Sequence, residues 1–268
     1  MAVNTVAQEN GLLPKASLEA LAELMSRPDP TIIGIVLTGS AARGMATQYS
    51  DVDVLVIRDE SETDNPREDR KTLAIDELPK TLTEIETIKP VGSEGAWERW
   101  SYAWAQVLRD STGGRITRAV RRQATLSDDE IRKLLIDDSR VDWFINETYR
   151  ALKSHRDGRP QASRLDSVEA IVPMLDLVFA LAGRVRPYNK YLQWELTNHP
   201  LPSAEWQDGR LLEYVTGMLE GDVAVIRAVF HAVERECRAY DQKTGRGELG
   251  AVIDEWGSDL DLYRSVDH

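Results

Sequence analysis

The chain has 268 residues, 42% hydrophobic and 29% charged, which suits one large or two smaller globular domains and excludes a disordered or fibrous chain. A net charge of -12 speaks against a polyphosphate backbone as the main partner, so nucleic acid is not expected; it suits solubility and a cationic small molecule. No apolar run approaches bilayer length, no basic segment leads into an apolar leader, and the single Cys237 precludes an internal disulfide, so a cytoplasmic protein without membrane contact is expected.

In chain order, a first helix is predicted with Ser17 as its N-cap, because Leu18, Leu21, Leu24 and Met25 recur at helical spacing. The prolines of "RPDP" (27–30) end it. "TIIGIVLT" (31–38) is rich in β-branched residues and predicts a buried strand. "GSAARGMA" predicts a turn into a short helix. A second strand follows in "SDVDVLVI" (50–57), whose alternation puts Asp51, Asp53 and Leu55 on one face and Val52, Val54 and Val56 on the other. Residues 58–71 are a polar loop or a helix start. "TLTEIETI" (81–88) alternates and predicts a third strand, with Glu84 and Glu86 on the face of Leu82 and Ile88.

Helical spacing returns in "GAWERWSYAWAQVL" (95–108), where Trp97, Trp100 and Trp104 recur as one packed face. "DSTGGRI" marks a turn before a further helix. From Ser127, whose pairing with Glu130 has the capping-box form, only helical patterns remain: 165–184, 187–197 and 208–240. The expected fold class is therefore α/β (α+β) for residues 1–125 and an all-α helical bundle for residues 126–268.

The chemistry concentrates in "LTGSAARGMATQYSDVDVLVI" (37–57). Carboxylates at i and i+2 of a strand project side by side, repel, and cost desolvation energy unless a cation lies between them. Mg²⁺ prefers carboxylate oxygens and is completed by substrate phosphates. Gly39 lets the backbone approach a phosphate, and the Ser40 hydroxyl and neighbouring amide groups can hold it. A third carboxylate from a neighbouring strand would complete such a site as metal ligand or general base. Glu84 and Glu86 are the candidates, with Glu84 slightly favoured.

Gly-Ser, ten intervening residues, then Asp-x-Asp in an apolar strand resembles the nucleotidyltransferase superfamily that includes DNA polymerase beta. The size and the helical second half are most similar to the antibiotic nucleotidyltransferases of the aminoglycoside type. The resemblance implies a small mixed sheet carrying Asp51 and Asp53 as metal ligands, two Mg²⁺ ions, and Gly39 and Ser40 on the nucleotide phosphates. It also implies a lysine from the helical domain on the triphosphate. In "GRVRPYNKYLQWEL" (183–196) that candidate is Lys190, with Asn189 beside it, while Arg43 of "AARG" either reaches a phosphate or is solvated on a short helix. The implied activity is transfer of a nucleoside monophosphate, AMP from ATP, to a hydroxyl of a small, hydroxylated and cationic acceptor such as an aminoglycoside-type antibiotic, with release of pyrophosphate. Two alternatives stay open: an antitoxin-like enzyme adding AMP to a protein or RNA partner, and a regulatory protein that binds nucleotide without transfer. Base choice, acceptor and oligomeric state are not readable from the sequence.

Overall fold

The computed structural model describes residues 2–59 and 70–264. The chain divides into two compact units, Met1–Thr125 and Leu126–His268.

The first unit opens with helices α1 (Ala2–Glu9) and α2 (Lys15–Ser26). Pro14 precedes α2, and Ser17 lies inside its first turn. Ser17 is fully buried and its hydroxyl donates to the Ser50 carbonyl at 3.3 Å, so it fastens the helix to the loop before the second strand and does not cap. Strands β1 (Ile32–Leu37) and β2 (Val52–Arg58) fall where the β-branched runs predict. Then come β3 (Arg70–Lys71), β4 (Ile75–Thr81), α3 (Leu82–Glu86), α4 (Arg99–Tyr102), β5 (Gln106–Asp110) and α5 (Arg115–Gln123). Of the polar segment expected over 58–71, residues 60–69 lie outside the described residues.

The sheet order is β3-β4-β2-β1-β5, with β2 and β4 parallel and the other pairs antiparallel. This is the small mixed sheet that the resemblance implies. It is covered on both faces, which explains why β1 and β2 are apolar almost throughout. Val52, Val54, Val56, Ile35 and Leu37 pack with Val6, Leu21 and Leu24 of α1 and α2. Val36, Leu55 and Ile57 pack with Ile85, Tyr102, Ile116 and Val120 of α3, α4 and α5. β3 pairs only with Asp76 and Glu77, so past them β4 has no outer neighbour among the described residues, and Pro79 sits there in register with Val56 of β2.

Two further sequence expectations fail in this unit. The strand expected over 81–88 ends at Thr81 and turns into α3. The Thr81 hydroxyl accepts from the Glu84 amide at 3.1 Å, and the Glu84 carboxylate accepts from the Thr81 amide at 2.6 Å. That reciprocal capping box fixes a helix start, and it outweighs the alternation of apolar and polar residues. The helix expected over 95–108 is confined to a 3₁₀ turn at Ala96–Glu98 and α4. Ala103 is already extended at φ -65° and ψ 126°, which ends α4, and Trp104 at φ 62° then turns the chain into β5. The three tryptophans therefore share no face: Trp100 is 1% exposed and Trp97 65%.

The second unit is all-helical: α6 (Asp128–Arg132), α7 (Arg140–Arg156), α8 (Pro160–Glu169), α9 (Ile171–Leu181), α10 (Leu192–Asn198), α11 (Arg210–Glu220), α12 (Val223–Thr244), α13 (Glu248–Asp254) and α14 (Asp261–Arg264). The Ser127–Glu130 capping box forms as the sequence predicts. α7 packs against α8, α9, α12 and α13, burying Phe144, Phe179 and Phe230. The Tyr263 ring stacks on Phe230 at 3.8 Å, and its hydroxyl donates to the Ile145 carbonyl at 2.8 Å. Among the described residues, no helix is long and apolar enough to cross a membrane.

Candidate active site

Three strand ends converge at one edge of the sheet. β1 leaves the sheet at Thr38, whose amide donates to the Asp53 carbonyl at 2.8 Å, so the turn after β1 starts beside the acidic end of β2. Gly39 then takes φ 62°, in the left-handed region. A Cβ placed on Gly39 would lie 2.7 Å from the Asp53 Cγ, so both the conformation and the space demand glycine. Ser40 follows at the start of a 3₁₀ turn, Ala41–Arg43, and its carbonyl accepts from the amides of Arg43 and Met45 at 3.1 and 3.0 Å.

Asp51 and Asp53 flank Val52 at the start of β2, and both are half-buried. Asp53 stands in parallel register with Asp76 of β4, which is 8% exposed. One carboxylate oxygen from each of Asp51, Asp53 and Asp76 lies within 4.8 Å of the other two. Three like charges at this distance repel strongly and are stabilised by positive charge. The protein supplies part of it: the Lys71 ammonium bonds the Asp76 carboxylate. That bond, with the fields of Asp76, Asp51 and Asp53, holds Lys71 above its ordinary value. An all-oxygen, anionic donor set on rigid strand ends suits a hard divalent cation such as Mg²⁺.

Glu84 and Glu86, the sequence candidates for the third carboxylate, are placed elsewhere. Glu84 belongs to the α3 capping box, and Glu86 accepts from Arg115 Nε and Nη2 at 2.9 and 2.7 Å. Asp76 occupies the position sought. The signal was present, because Ile75-Asp76 at the head of β4 repeats Val52-Asp53 at the head of β2. "AIDELPK" carries too many charges, and a proline, for its alternation to stand out as a strand.

Arg43 also departs from expectation. It is 6% exposed, so it points into the protein and not at a surface phosphate. Its Nη1 donates to the Gly39 carbonyl at 2.6 Å, and its Nη2 to the Trp100 and Ala103 carbonyls at 3.2 and 2.5 Å. The guanidinium lies 4.1 Å from the centroid of the Trp100 ring.

In the helical unit, Arg184 pairs with Glu195, while Arg186 donates to Asp176 at 3.4 Å and to the Asn189 side chain at 2.9 Å. Asn189 and Lys190 are exposed. Lys190 makes no ion pair among the described residues, and its Nζ lies 4.7 Å from the centroid of the Tyr191 ring.

Residues 18–90 match the family model described as a nucleotidyltransferase domain. The matched segment runs from α2 through β4 and α3, and so contains Gly39, Ser40, Asp51, Asp53 and Asp76. No curated protein matches the chain. The match supports nucleotidyl transfer as the chemistry of this unit, with a nucleoside triphosphate as substrate, and the acidic cluster is a group that could bind the metal such chemistry uses.

Proposed function

We propose that the protein is a Mg²⁺-dependent nucleotidyltransferase that moves AMP from ATP to a hydroxyl of a small, hydroxylated, cationic acceptor of the aminoglycoside type. The observation that carries this reading is the contact of the phosphate turn with the acidic cluster: Gly39 abuts Asp53, and Asp53 is in register with Asp76.

Asp51 and Asp53 are the residues we assign to the metal, with Asp76 beside them. A bound divalent ion would supply positive charge to the phosphate oxygens during an in-line displacement. Gly39 and Ser40 bind the phosphates through amide and hydroxyl donors. Asp76 accepts the proton of the acceptor hydroxyl, the role that the sequence pattern gave to Glu84 or Glu86. Lys190 is assigned to the triphosphate as a point charge, and its exposure supports that reading. The net charge of -12 supports a cationic acceptor.

The test is a screen of hydroxylated acceptors with each nucleoside triphosphate and Mg²⁺, followed by pyrophosphate release and product mass. Acceptor- and Mg²⁺-dependent pyrophosphate with an acceptor heavier by a nucleoside monophosphate is expected. Nucleotide binding without turnover in any pairing would refute transfer. Lys190→Ala should raise the nucleotide KM by about tenfold, the loss of one charge-assisted contact. An unchanged KM returns Lys190 to the solvated surface.

A further inference from the structure

We infer that Arg43 is a positioning residue that aims the Ser40 amide at the nucleotide phosphates, an inference that rests on the nucleotidyltransferase reading. The argument starts from peptide geometry. A trans peptide is planar, and its C=O and N–H point in opposite directions. The peptide that joins Gly39 to Ser40 is trans. Arg43 Nη1 holds the Gly39 carbonyl at 2.6 Å, so the Ser40 N–H of the same plane is directed away from Arg43.

The brace is buried at both ends. Arg43 Nη2 is anchored on the Trp100 and Ala103 carbonyls, and the guanidinium rests on the face of Trp100, which is 1% exposed. Such a fork spans two backbone segments at once, because five N–H donors are fixed in one plane. A lysine ammonium is a point donor and does not reproduce that span. The other side of the turn is held independently. Asn10, 3% exposed, donates to the Ala41 carbonyl at 2.8 Å and accepts from the Ala46 amide at 3.2 Å. Gln106 donates to the Ala42 carbonyl at 3.0 Å. The segment 39–46 is thus clamped from two sides, and Arg43 is the clamp on the one peptide whose orientation decides where a phosphate donor points. Flipping that peptide requires only paired ψ and φ rotations at Gly39 and Ser40, to which glycine offers little resistance.

The test compares wild type with Arg43→Lys, Arg43→Met and Trp100→Phe. Readouts are Mn²⁺-dependent binding of inorganic pyrophosphate, amide hydrogen exchange over 38–46, and thermal midpoint. Positioning predicts that Arg43→Lys and Arg43→Met weaken pyrophosphate binding alike, by about tenfold, with faster exchange confined to the turn. Trp100→Phe, which keeps Arg43 but trims its stacking surface, should shift binding in the same direction by a smaller factor. Retained binding in Arg43→Lys with loss in Arg43→Met would mean direct charge contact and overturn the inference. Lowered midpoints with unchanged binding in the folded variants would make Arg43 purely structural and also overturn it. If Arg43→Met does not fold, the comparison of Arg43→Lys and Trp100→Phe decides. A wild type that binds no pyrophosphate overturns the functional reading itself, an outcome separate from any difference among variants.

Discussion

The two ends of β4 both carry carboxylates, and they treat them in opposite ways. At its start, Asp76 converges on Asp51 and Asp53, three acids drawing together around one point. Past its end, Glu84 and Glu86 are each given to a local partner: the α3 cap takes the first and Arg115 the second. Thr81 lies five residues beyond Asp76, so about 16 Å of strand separates the two settings. Acids engaged one by one with donors stabilise the fold. Acids brought together keep a charge density that calls for an external cation.

The largest expected break in that contrast comes from Asp53→Asn. It should lower transfer by roughly 10³-fold and weaken Mn²⁺ binding, with the circular dichroism spectrum unchanged. Near-normal turnover would remove the metal role. Asp76→Asn should follow with roughly 100-fold lost from kcat and a smaller effect on the nucleotide KM. At the other end of the strand, Glu84→Gln and Glu86→Gln should each stay within about twofold of wild-type activity, and Glu84→Ala should cost about 1 kcal/mol of stability through the lost cap. A hundredfold loss of turnover in either glutamine variant would restore the glutamates to the reaction.

The smallest effect sharpens the class of engaged acids. Burial alone would raise Asp110, but it accepts from the amide and hydroxyl of Thr112 at 3.0 and 2.6 Å and of Thr117 at 3.0 and 2.8 Å. Those donors outweigh burial and hold its carboxyl well below the usual range. A depressed native value means that the carboxylate stabilises the fold fully above the unfolded value and loses that contribution as pH falls through the native one. Wild type should therefore exceed Asp110→Asn by about 1–2 kcal/mol at neutral pH in urea unfolding. The gap should narrow from about pH 4 downward. A gap that widens in acid would contradict the assigned direction.

Much of this was legible in the residues. β1 and β2 follow from their β-branched runs, and the turn at Gly39-Ser40 and the neighbouring pair Asp51 and Asp53 stand out by the Gly-Ser and Asp-x-Asp spacing. The Ser127–Glu130 cap follows from its four residues. β4 was hidden because Asp76, Glu77, Pro79 and Lys80 dilute its apolar positions. Its parallel partnership with β2 is a non-local fact that no window of sequence contains. Thr81-Leu82-Thr83-Glu84 carried a capping signature, yet its alternation imitates a strand. Arg43 shows a different limit. Sequence identifies a cation near a phosphate turn, but whether it faces outward or inward depends on the Trp100–Ala103 backbone, some sixty residues later.

Pro79 bears on how the molecule meets its own copies. Past the two residues that β3 covers, β4 has no outer neighbour among the described residues, and an unpaired strand edge of that kind offers hydrogen-bond partners to a further strand. A proline there offers no N–H, and Lys80 beside it adds a charge that a docking strand would have to accommodate. The same residues that concealed β4 from a reading of the sequence, a proline and a lysine, are the residue types that discourage a further strand from adding to a sheet edge.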